Sequence, residues 1–370
     1  MNVTRESLLL LGPETRLSAG EPAEVRQPLQ SALEDTARDM LAAAATGTLV
    51  AGALPFDAAQ PGYLFRPAGR RGDGELPDLP LTMRPAALAI VDQGEHYAEI
   101  VAEAVRMIEG GVLTKVVLAR QLQVAAGTPV DPLAVAARLH GADPSVVTFL
   151  LDLTPVSGRP HHWLVGATPE LLVARNGATI RSHPLAGSAR RESDAVADRA
   201  AGERLLRSDK DLREHRLVVD YIADLLSPLC SDLRVAGPAL RSTATMWHLG
   251  TQITGTLRGG DGPGAAGLAA LLHPTPAVGG VPRAAALDVI RRLEGGTRGL
   301  YGGAIGWTDA AGDGEWYVTL RCAEICGGEL TLHAGAGIVA GSDPAAELAE
   351  TGAKFAAMLR ALDLAAQVPA

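Results

Sequence analysis

The clearest pattern in the chain is an alternation of apolar and polar positions near its middle. Apolar runs at 163–165 and 171–173 predict two strands on either side of the turn sequence Gly-Ala-Thr-Pro. Asn176-Gly177 predicts a tight hairpin into a third strand over 178–182. The stretch Pro184-Leu-Ala-Gly-Ser-Ala then offers small residues that let a ligand approach the backbone, although an ordinary loop has the same composition.

A spacing of three to four residues between apolar positions predicts amphipathic helices elsewhere. Helices are expected over about 28–45, 94–109, 131–140, 192–207, 208–226, 283–293 and 343–362. Ser208 with Asp211 three residues later has the pattern of a capping box, and Pro344 after Asp343 is typical of a helix start.

The remaining strands and loops decide the fold class. Strands are expected over 48–54, 113–120, 144–153, 234–236, 248–257, 316–324 and 329–333, and an exposed loop over 66–80. Most strands follow one another with few helices between them, which favours antiparallel pairing. The 370 residues allow one large domain or two ordinary ones, and we expect an α+β fold rather than a doubly wound sheet.

Composition and charge exclude several classes of function. A net charge of −9 and only 4% aromatic residues give no support to a nucleic-acid interface. Three cysteines are too few for a disulfide framework and suit a reducing cytosol. The leucine run at 8–11 is too short for a signal peptide, and no apolar stretch reaches membrane-spanning length. We therefore expect a cytoplasmic protein with no membrane partner.

Two glycine-rich stretches resemble dinucleotide-binding loops but lack the required context. Gly262-x-Gly264-x-x-Gly267 has Pro263 in its turn, and no strand ending in an acidic residue follows about twenty residues later. The stretch 335–340 lies too near the end of the chain for another strand to follow the next helix. A nicotinamide-dependent oxidoreductase that binds at residues 262–267 is therefore a weak alternative.

Two charged residues stand among apolar neighbours. A buried Glu170, where a turn becomes a strand, would hold its proton and could serve as a general acid. Lys115 alternates with Leu113 and Val117, so a core-facing strand would bury it, and a buried lysine needs a partner or becomes a neutral base. The pattern alone favours the alternatives, a glutamate pointing at water and a lysine whose ammonium reaches solvent.

Carboxylates also occur on two predicted helices. Glu214 shares a face with Leu217, so it points inward and needs a cation, unless it is a first-turn residue favoured by the helix dipole. Glu347, Glu350 and Lys354 form a stripe apart from the apolar face of the last helix. A solvated Glu350–Lys354 pair is the simplest interpretation of that stripe.

Eight stretches together carry a signal that no single residue carries: GATPELLV, PLAGSARR, DKDLREHRLVVD, LHPTPAVGG, YGGAIGW, TLRCAEI, AGAGIV and ELAETGAK. In order and spacing they resemble the chorismate-utilising enzymes, most closely the siderophore-type isochorismate synthases. The resemblance covers about residues 48 to 362. It implies a single large α+β domain of two face-packed antiparallel sheets flanked by helices, with the site in a cleft. Residues 48–365 would form the catalytic domain, and 1–47 would pack on the same fold.

The resemblance also implies a reaction and a set of site residues. The family reaction adds water at C2 of chorismate and expels the C4 hydroxyl, giving isochorismate, and it requires Mg²⁺. Lys115 would activate the water and Glu170 would protonate the departing hydroxyl. The metal would be held by Glu214 and Glu350, with Asp211 and Glu347 as outer carboxylates. Substrate contacts would come from Gly187, Ser188, His273, Ala277, Tyr301, Arg321, Gly335 and Lys354.

Related activities stay open at this point. Ammonia-using members of the family lack a lysine at the Lys115 position, which argues for water here. Ser188 resembles isochorismate synthases, whereas salicylate synthases, which go on to eliminate pyruvate, tend to carry threonine. A menaquinone-pathway enzyme and a catalytically silent chorismate-binding protein are further alternatives. A monomer without an amidotransferase subunit is expected, and at His183 and Val278 the typical residue is not assigned.

Overall fold

The computed structural model describes residues 6–42, 44–45, 47–69, 72, 87–259 and 262–365. Within these residues the chain forms two nine-stranded sheets and one three-stranded sheet, and the strand pairs are antiparallel. The α+β class is therefore confirmed. Most of the exposed loop predicted over 66–80 lies outside the described residues.

The first large sheet contains the strand that begins with Lys115. In spatial order its strands are β17 (Gly280–Val281), β7 (Lys115–Ala126), β21 (Glu329–Ile338), β20 (Cys322–Cys326), β9 (His162–Thr168), β8 (Val147–Asp152), β1 (Glu6–Leu11) and β2 (Arg16–Gly20), and β6 (Ala87–Asp92) also pairs with β7. The leucine run of β1 is buried in this sheet, since Leu8 to Leu11 are each at most 2% exposed.

The second large sheet packs against the first, and a small sheet lies beside them. The second sheet is, in order, β13 (Cys230–Val235), β16 (Ile253–Leu257), β11 (Thr179–His183), β10 (Leu171–Asn176), β19 (Gly314–Val318), β18 (Ala304–Asp309), β4 (Leu49–Leu54), β5 (Tyr63–Pro67) and β3 (Pro22–Arg26). The small sheet is β12 (Leu185–Arg190), β15 (Met246–Gly250) and β14 (Ala239–Ser242). Leu8 and Phe149 of the first sheet share an apolar cluster with Phe65 and Trp307 of the second, so the two sheets meet face to face.

Helices form the outer layers and agree closely with the apolar periodicity. They are α1 (Leu33–Ala42), α2 (Gly94–Glu109), α3 (Pro132–Ala142), α4 (Thr154–Ser157), α5 (Ala195–Arg207), α6 (Asp209–Leu226), α7 (Ala265–Leu272), α8 (Arg283–Glu294) and α9 (Pro344–Ala361), with 3₁₀ turns at Gln30–Ala32 and Ser227–Leu229. The predicted caps are present: the Asp211 amide donates to Ser208 Oγ at 3.3 Å, and the Ala346 amide donates to Asp343. Among the described residues, no helix combines the length and apolarity needed to cross a membrane.

Several predicted strands have different bounds in the structure. The stretch 248–257 is two strands in different sheets, and 316–324 is interrupted at 319–321 for the same reason. The turn predicted at 166–169 is strand as far as Thr168, and β21 continues to Ile338 through the predicted glycine loop. Apolar alternation is the same in either sheet, so it does not reveal where a chain changes sheets.

Two of these crossings between sheets place the candidate site residues Glu170 and Arg321. β9 passes to β10 through Pro169 and Glu170, and β19 passes to β20 through residues 319–321. The two crossings are hydrogen-bonded to each other: the Ala167 amide donates to the Arg321 carbonyl at 3.2 Å, and the Val318 amide donates to the Glu170 carbonyl at 3.1 Å. Glu170 and Arg321 are thereby held side by side where the two large sheets part.

Candidate active site

The predicted site residues converge on one cavity, with two exceptions. Its walls include Glu170, Gly187, Ser188, Asp211, Glu214, Ala277, Tyr301, Arg321, Gly335, Glu347, Glu350 and Lys354. These residues come from the first large sheet, the small sheet, α6, α9 and connecting segments, which include the two crossings between the large sheets. The exceptions are Lys115 and His273, which do not appear among the described wall residues.

Glu170 is buried at the floor of the cavity, with 2% of its surface exposed. Burial raises the pKa of this carboxyl to about 8, against the opposing effects of the Leu185 amide, Lys115 and Arg321. The side chain therefore keeps its proton at neutral pH, which is the state a general acid needs. The alternative of an edge-strand glutamate pointing at water is wrong.

Lys115 lies one layer behind the cavity wall and is fully buried. Its Nζ is 3.0 Å from Glu214 Oε1, so the inward-facing lysine and the inward-facing glutamate neutralise each other. A Cβ on Gly337 of β21 would collide with the Glu214 carboxylate and come within 3.2 Å of Lys115 Cε. The glycine in AGAGIV thus makes room for this pair. The alternative of a solvent-reaching lysine is wrong.

A lysine accompanies two more of the predicted metal-binding carboxylates. Lys354 Nζ lies 2.6 Å from Glu350, and Lys210 Nζ lies 3.1 Å from Glu347. Burial alone would raise the pKa of Glu350, but Lys354 and the Ser188 hydroxyl hold it below its ordinary value. The Glu350–Lys354 pair is part of the cavity wall. The simplest interpretation of the sequence, a solvated pair on the surface, is therefore wrong.

The other two carboxylates hold their protons more tightly than usual. Burial, followed by repulsion from Glu214, raises the pKa of Asp211, although the Ser208 hydroxyl opposes this. Burial, followed by repulsion from Glu350, raises the pKa of Glu347, against the pull of Lys210. Burial is thus the larger cause for both groups, and the neighbouring carboxylates add to it.

These side chains have the donor chemistry that Mg²⁺ prefers. Magnesium takes carboxylate oxygens and waters, and the wall supplies carboxylates from Asp211, Glu214, Glu347 and Glu350. Among the described residues, no three His, Cys, Asp or Glu side chains are already grouped around a single metal position. The oxygen donors thus fit the ion in kind, while their present partners are lysine ammonium groups.

Cationic and polar groups line the cavity next to these carboxylates. Lys354 Nζ also donates to the Gly335 carbonyl at 2.8 Å, and a Cβ on Gly335 would lie 3.1 Å from the Tyr301 hydroxyl. Arg321 Nη2 lies 3.3 Å from His248 Nε2, and burial lowers the pKa of His248 well below its usual range. A neutral His248 can accept from the guanidinium and so orient it.

Sequence reasoning missed several wall residues, including Lys210, His248 and His333. His333 stacks on Tyr301 with ring centroids 5.1 Å apart, and Arg298 donates to the carbonyls of Val278 and Val117 at 2.7 and 2.6 Å. His248 lies on β15 and His333 lies on β21. Their positions on these strands relative to the other wall residues are the signal that could have identified them. Lys210 lies within the motif DKDLREHRLVVD, but the resemblance did not identify it as a site residue.

His273 is a correction, because it lies away from the cavity. Its ring is buried with Nε2 at 3.0 Å from the Pro55 carbonyl, and its own carbonyl accepts from Gln30 and Arg283. These contacts give it a packing role at the end of α7. Of the two unassigned positions, Val278 lines the cavity and His183 does not appear among the described wall residues.

The first glycine-rich motif binds a carboxylate of the chain itself. Glu34 of α1 accepts from the amides of Gly264 at 3.0 Å and Gly267 at 2.6 Å, so it caps the N-terminus of α7. The place where a dinucleotide phosphate would sit is therefore filled by Glu34. The second motif is the β21 strand that makes room for Glu214.

Comparison with known proteins gives concordant matches. Residues 81–363 match the family model described as chorismate binding enzyme. A protein of Mycobacterium tuberculosis named putative isochorismate synthase MenF is 45% identical over 325 residues, covering 86% of this chain and 87% of the relative.

Two solved structures resemble the whole chain. The putative 2,3-dihydroxybenzoate-specific isochorismate synthase DhbC of Bacillus anthracis has a TM-score of 0.90 and 36% identity, covering 98% of both chains. The menaquinone-specific isochorismate synthase MenF of Escherichia coli has a TM-score of 0.80 and 25% identity, covering 97% of this chain and 89% of the other.

Proposed function

Because the chain belongs to the family of chorismate binding enzymes, we propose that it is an isochorismate synthase. It converts chorismate to isochorismate by adding water at C2 and releasing the hydroxyl at C4. The observation that carries the proposal is the pairing, at one cavity, of a glutamic acid that keeps its proton at neutral pH with a buried lysine directly behind the wall. The M. tuberculosis relative and the B. anthracis structure, both named as putative isochorismate synthases, support it at 45% and 36% identity.

Glu170 is proposed as the acid. Expulsion of a hydroxyl group needs a proton on the leaving oxygen, and a carboxyl with a pKa of about 8 carries that proton under physiological conditions. The backbone carbonyl of Glu170 accepts from the Val318 amide, and its backbone amide donates to the Thr168 hydroxyl. These hydrogen bonds hold the backbone from which the side chain extends. A fixed, protonated carboxyl in a buried site is the arrangement found for general acids.

Lys115 is proposed as the base that takes a proton from the attacking water, in its neutral amine form, since the ammonium paired with Glu214 must first release its own proton. Gly337 has no side chain, so the Glu214 carboxylate and the Lys115 side chain can pack together against the strand at this point of the wall. The only ion-pair partner of Lys115 among the described side chains is Glu214, at 3.0 Å. A water on the cavity side of the Glu214 carboxylate would lie near both groups.

Arg321, Lys354 and Tyr301 are proposed to bind the enolpyruvyl carboxylate. Chorismate is a dianion, and this protein carries a net charge of −9, so its site must concentrate positive charge locally. Arginine presents a planar fork that suits a carboxylate, and His248 fixes its orientation. The backbone of Gly335 lies beside the same group because no side chain blocks it.

Mg²⁺ is proposed as the cofactor, with Glu214 and Glu350 as its protein ligands and Asp211 and Glu347 next to them. When bound, the ion would supply positive charge opposite the ring carboxylate of the substrate. Lys115 and Lys354 already contact these two glutamates, so they hold the carboxylates in place in the absence of a metal. Ser188 Oγ donates to Glu350 at 2.8 Å and adds to that support.

Product analysis tests this proposal. The purified protein is incubated with chorismate, with Mg²⁺ or with a chelator, and the products are separated against authentic standards. Isochorismate alone, formed only with Mg²⁺, is the expected result. Salicylate with pyruvate would make the chain a salicylate synthase and would show that Ser188 does not separate the two activities. Binding without turnover would make it a chorismate-binding protein.

The product is proposed to feed a 2,3-dihydroxybenzoate or siderophore route. The higher TM-score and more even coverage against the 2,3-dihydroxybenzoate-specific structure support this route over the menaquinone route. Deleting the gene in its host and supplying 2,3-dihydroxybenzoate under iron limitation tests it. Rescue by a menaquinone precursor instead would contradict it. Cytoplasmic location, which the small number of cysteines suits, and a monomeric state are part of the same proposal.

A further inference from the structure

A second cavity of about 400 Å³ adjoins the active-site cavity. Pro169 and Arg321 belong to the described walls of both, so the two cavities meet at these residues. The second cavity is formed by the C-terminal ends of α3 and α9 and by residues 243–245, the loop that joins β14 to β15. Neither the family match nor the proposed chemistry gives it a role.

The charge of the second cavity is positive. Arg138, Arg321 and Arg360 line it, together with one carboxylate, Asp143. Both oxygens of Asp143 are engaged: Oδ2 accepts from the Ala244 amide at 2.6 Å, and Oδ1 accepts from the Ser145 amide at 3.2 Å. Asp143 thus fastens the β14–β15 loop to the end of α3.

The remaining walls are small and apolar. They consist mainly of Leu139, Ala142, Val146, Ala167, Ala357 and Ala361. Arginines set among apolar side chains suit a small organic anion that carries a carboxylate and an apolar ring.

The other approach to the active site has the opposite charge. Four carboxylates line the described part of the active-site cavity besides the protonated Glu170, and two of them, Asp211 and Glu347, lie beside Lys210, whose side chain is 39% exposed. A dianion that arrived past these acids would be repelled, and the net charge of −9 adds to the repulsion. The arginine side offers an attractive path to the guanidinium that is proposed to bind the substrate.

We propose that the second cavity is a vestibule that collects the dicarboxylate substrate and passes it to Arg321. The inference rests on the proposed function, because it takes chorismate as the substrate. Arg138 and Arg360 attract the substrate's carboxylates, the alanine-lined wall accepts its ring, and Arg321 then serves both cavities. The β14–β15 loop forms one edge of the vestibule and is fastened there by Asp143.

Charge reversal at Arg360 tests the vestibule. Arg360 is exposed near the end of α9 and takes no part in the proposed chemistry. Arg360→Glu should lower the association rate constant of chorismate, measured by stopped-flow fluorescence, and kcat/KM by about 5- to 20-fold at low ionic strength. The value of kcat should stay unchanged. The difference should shrink in about 0.5 M salt, because screening weakens steering.

Arg258→Glu is the matched control. Arg258 is also exposed and lies just after β16 on the second large sheet, so its reversal makes the same change in net charge away from the vestibule. It should leave the association rate within about twofold of wild type. Equal rates for Arg360→Glu and wild type, or equal losses in both variants, would overturn the vestibule.

A steric variant gives an independent reading. Ala142 is exposed at the end of α3, so Ala142→Trp can fill the vestibule without disturbing the core, and Ala142→Ser is its size-matched control. The tryptophan variant should bind chorismate more slowly at all salt concentrations, and unaltered binding would contradict the proposal.

If wild type binds chorismate at an Arg360-dependent rate without forming isochorismate, the proposed function fails and the vestibule stands. If wild type does not bind chorismate, both fail.

Discussion

At the scale of single residues, Glu170 and Lys115 differ from ordinary strand residues in their separation from water. A carboxyl that must be desolvated keeps its proton, and a lysine that must be desolvated pairs with a carboxylate. Gly337 contributes by having no side chain, because a Cβ there would collide with Glu214. The chemistry at these positions thus depends on neighbours far away in the sequence.

Replacing Glu170 by glutamine should change the pH dependence of both activity and stability. In the unfolded chain the carboxyl ionises near 4.5, whereas in the fold it keeps its proton up to about pH 8. Its contribution to stability is therefore complete below pH 4.5 and is lost as the pH rises through 8. Glutamine cannot ionise, so the Tm of Glu170→Gln relative to wild type should rise between pH 4.5 and 8 and then level off.

Differential scanning calorimetry across this pH range measures that difference, and a constant offset would contradict the burial of a protonated carboxyl. In parallel, wild-type turnover should fall above about pH 8 as Glu170 loses its proton. Glu170→Gln should lose about 10²- to 10⁴-fold in kcat, the usual contribution of a general acid.

Replacing Lys115 by glutamine should abolish isochorismate formation while the protein stays folded. Glutamine keeps an N–H donor near Glu214 but cannot accept a proton, so a loss of at least about 10²-fold in kcat is expected. Product chromatography measures the loss, and thermal unfolding checks the fold. Arg258→Gln, at an exposed position, is the control that should be unaffected. A folded Lys115→Gln protein with near-normal turnover would remove Lys115 from the role of base.

The sequence could identify these residues but not their surroundings. Motifs such as GATPE and KVVLAR name the acid and the base by resemblance, yet periodicity favoured exposure for both. Burial arises because Glu170 lies where one sheet passes to another, and because Lys115 pairs with Val281 of β17 while its side chain packs against Gly337 and Glu214. Neither pairing leaves a local signal. His273 shows the opposite error: it lies within a recognised motif, yet in the structure it has a packing role and is not among the described wall residues of the cavity.

At the scale of elements, strand β21 and helix α6 form a matched pair. Gly337 on β21 faces Glu214 on α6, and the pairing Gly337↔Val117 sets β21 beside the strand of Lys115. The helix was predictable, because its cap and apolar stripe are local features. The extension of β21 through AGAGI was not, because glycine-rich stretches are more typical of loops.

Gly337→Ala should displace Glu214 and weaken both Mg²⁺ binding and turnover by at least about tenfold. The added methyl group has no free space, since the nearest atoms belong to the Glu214 carboxylate and the Lys115 side chain. Titration calorimetry with Mg²⁺ and turnover assays measure the effect. Gly141→Ala in α3 is the control, because nothing lies within 4 Å of that position. Unchanged Mg²⁺ affinity in Gly337→Ala would place the metal elsewhere.

The cap between α1 and α7 predicts a change in stability without a change in catalysis. Glu34→Gln removes the charge that accepts from Gly264 and Gly267, and it should lower the free energy of unfolding by about 1 kcal/mol. Urea unfolding measures the loss, and kcat and KM for chorismate should stay at wild-type values. A fall in kcat would instead link this end of the molecule to the active site.

At the scale of the whole molecule, the first large sheet, the small sheet, α6 and α9 together enclose the cavity in which the charged residues meet. Strands β1 and β2 extend the first sheet and β3 extends the second, so the N-terminal residues are integral to the architecture. Family resemblance predicted this arrangement, whereas composition alone could only limit the choice to an acidic protein with no nucleic-acid surface. The order of the strands in each sheet depends on long-range pairing and could not be derived from local patterns.

Isotope incorporation tests the central claim most directly. The protein is incubated with chorismate and Mg²⁺ in ¹⁸O-labelled water, and early isochorismate is analysed by mass spectrometry. Addition of water at C2 with loss of the C4 hydroxyl predicts one ¹⁸O atom in each isochorismate molecule, at the C2 hydroxyl. Unlabelled isochorismate would mean that the hydroxyl group moves within the substrate, and it would contradict the assignment of Lys115 and Glu170 as a water-activating base and a hydroxyl-releasing acid.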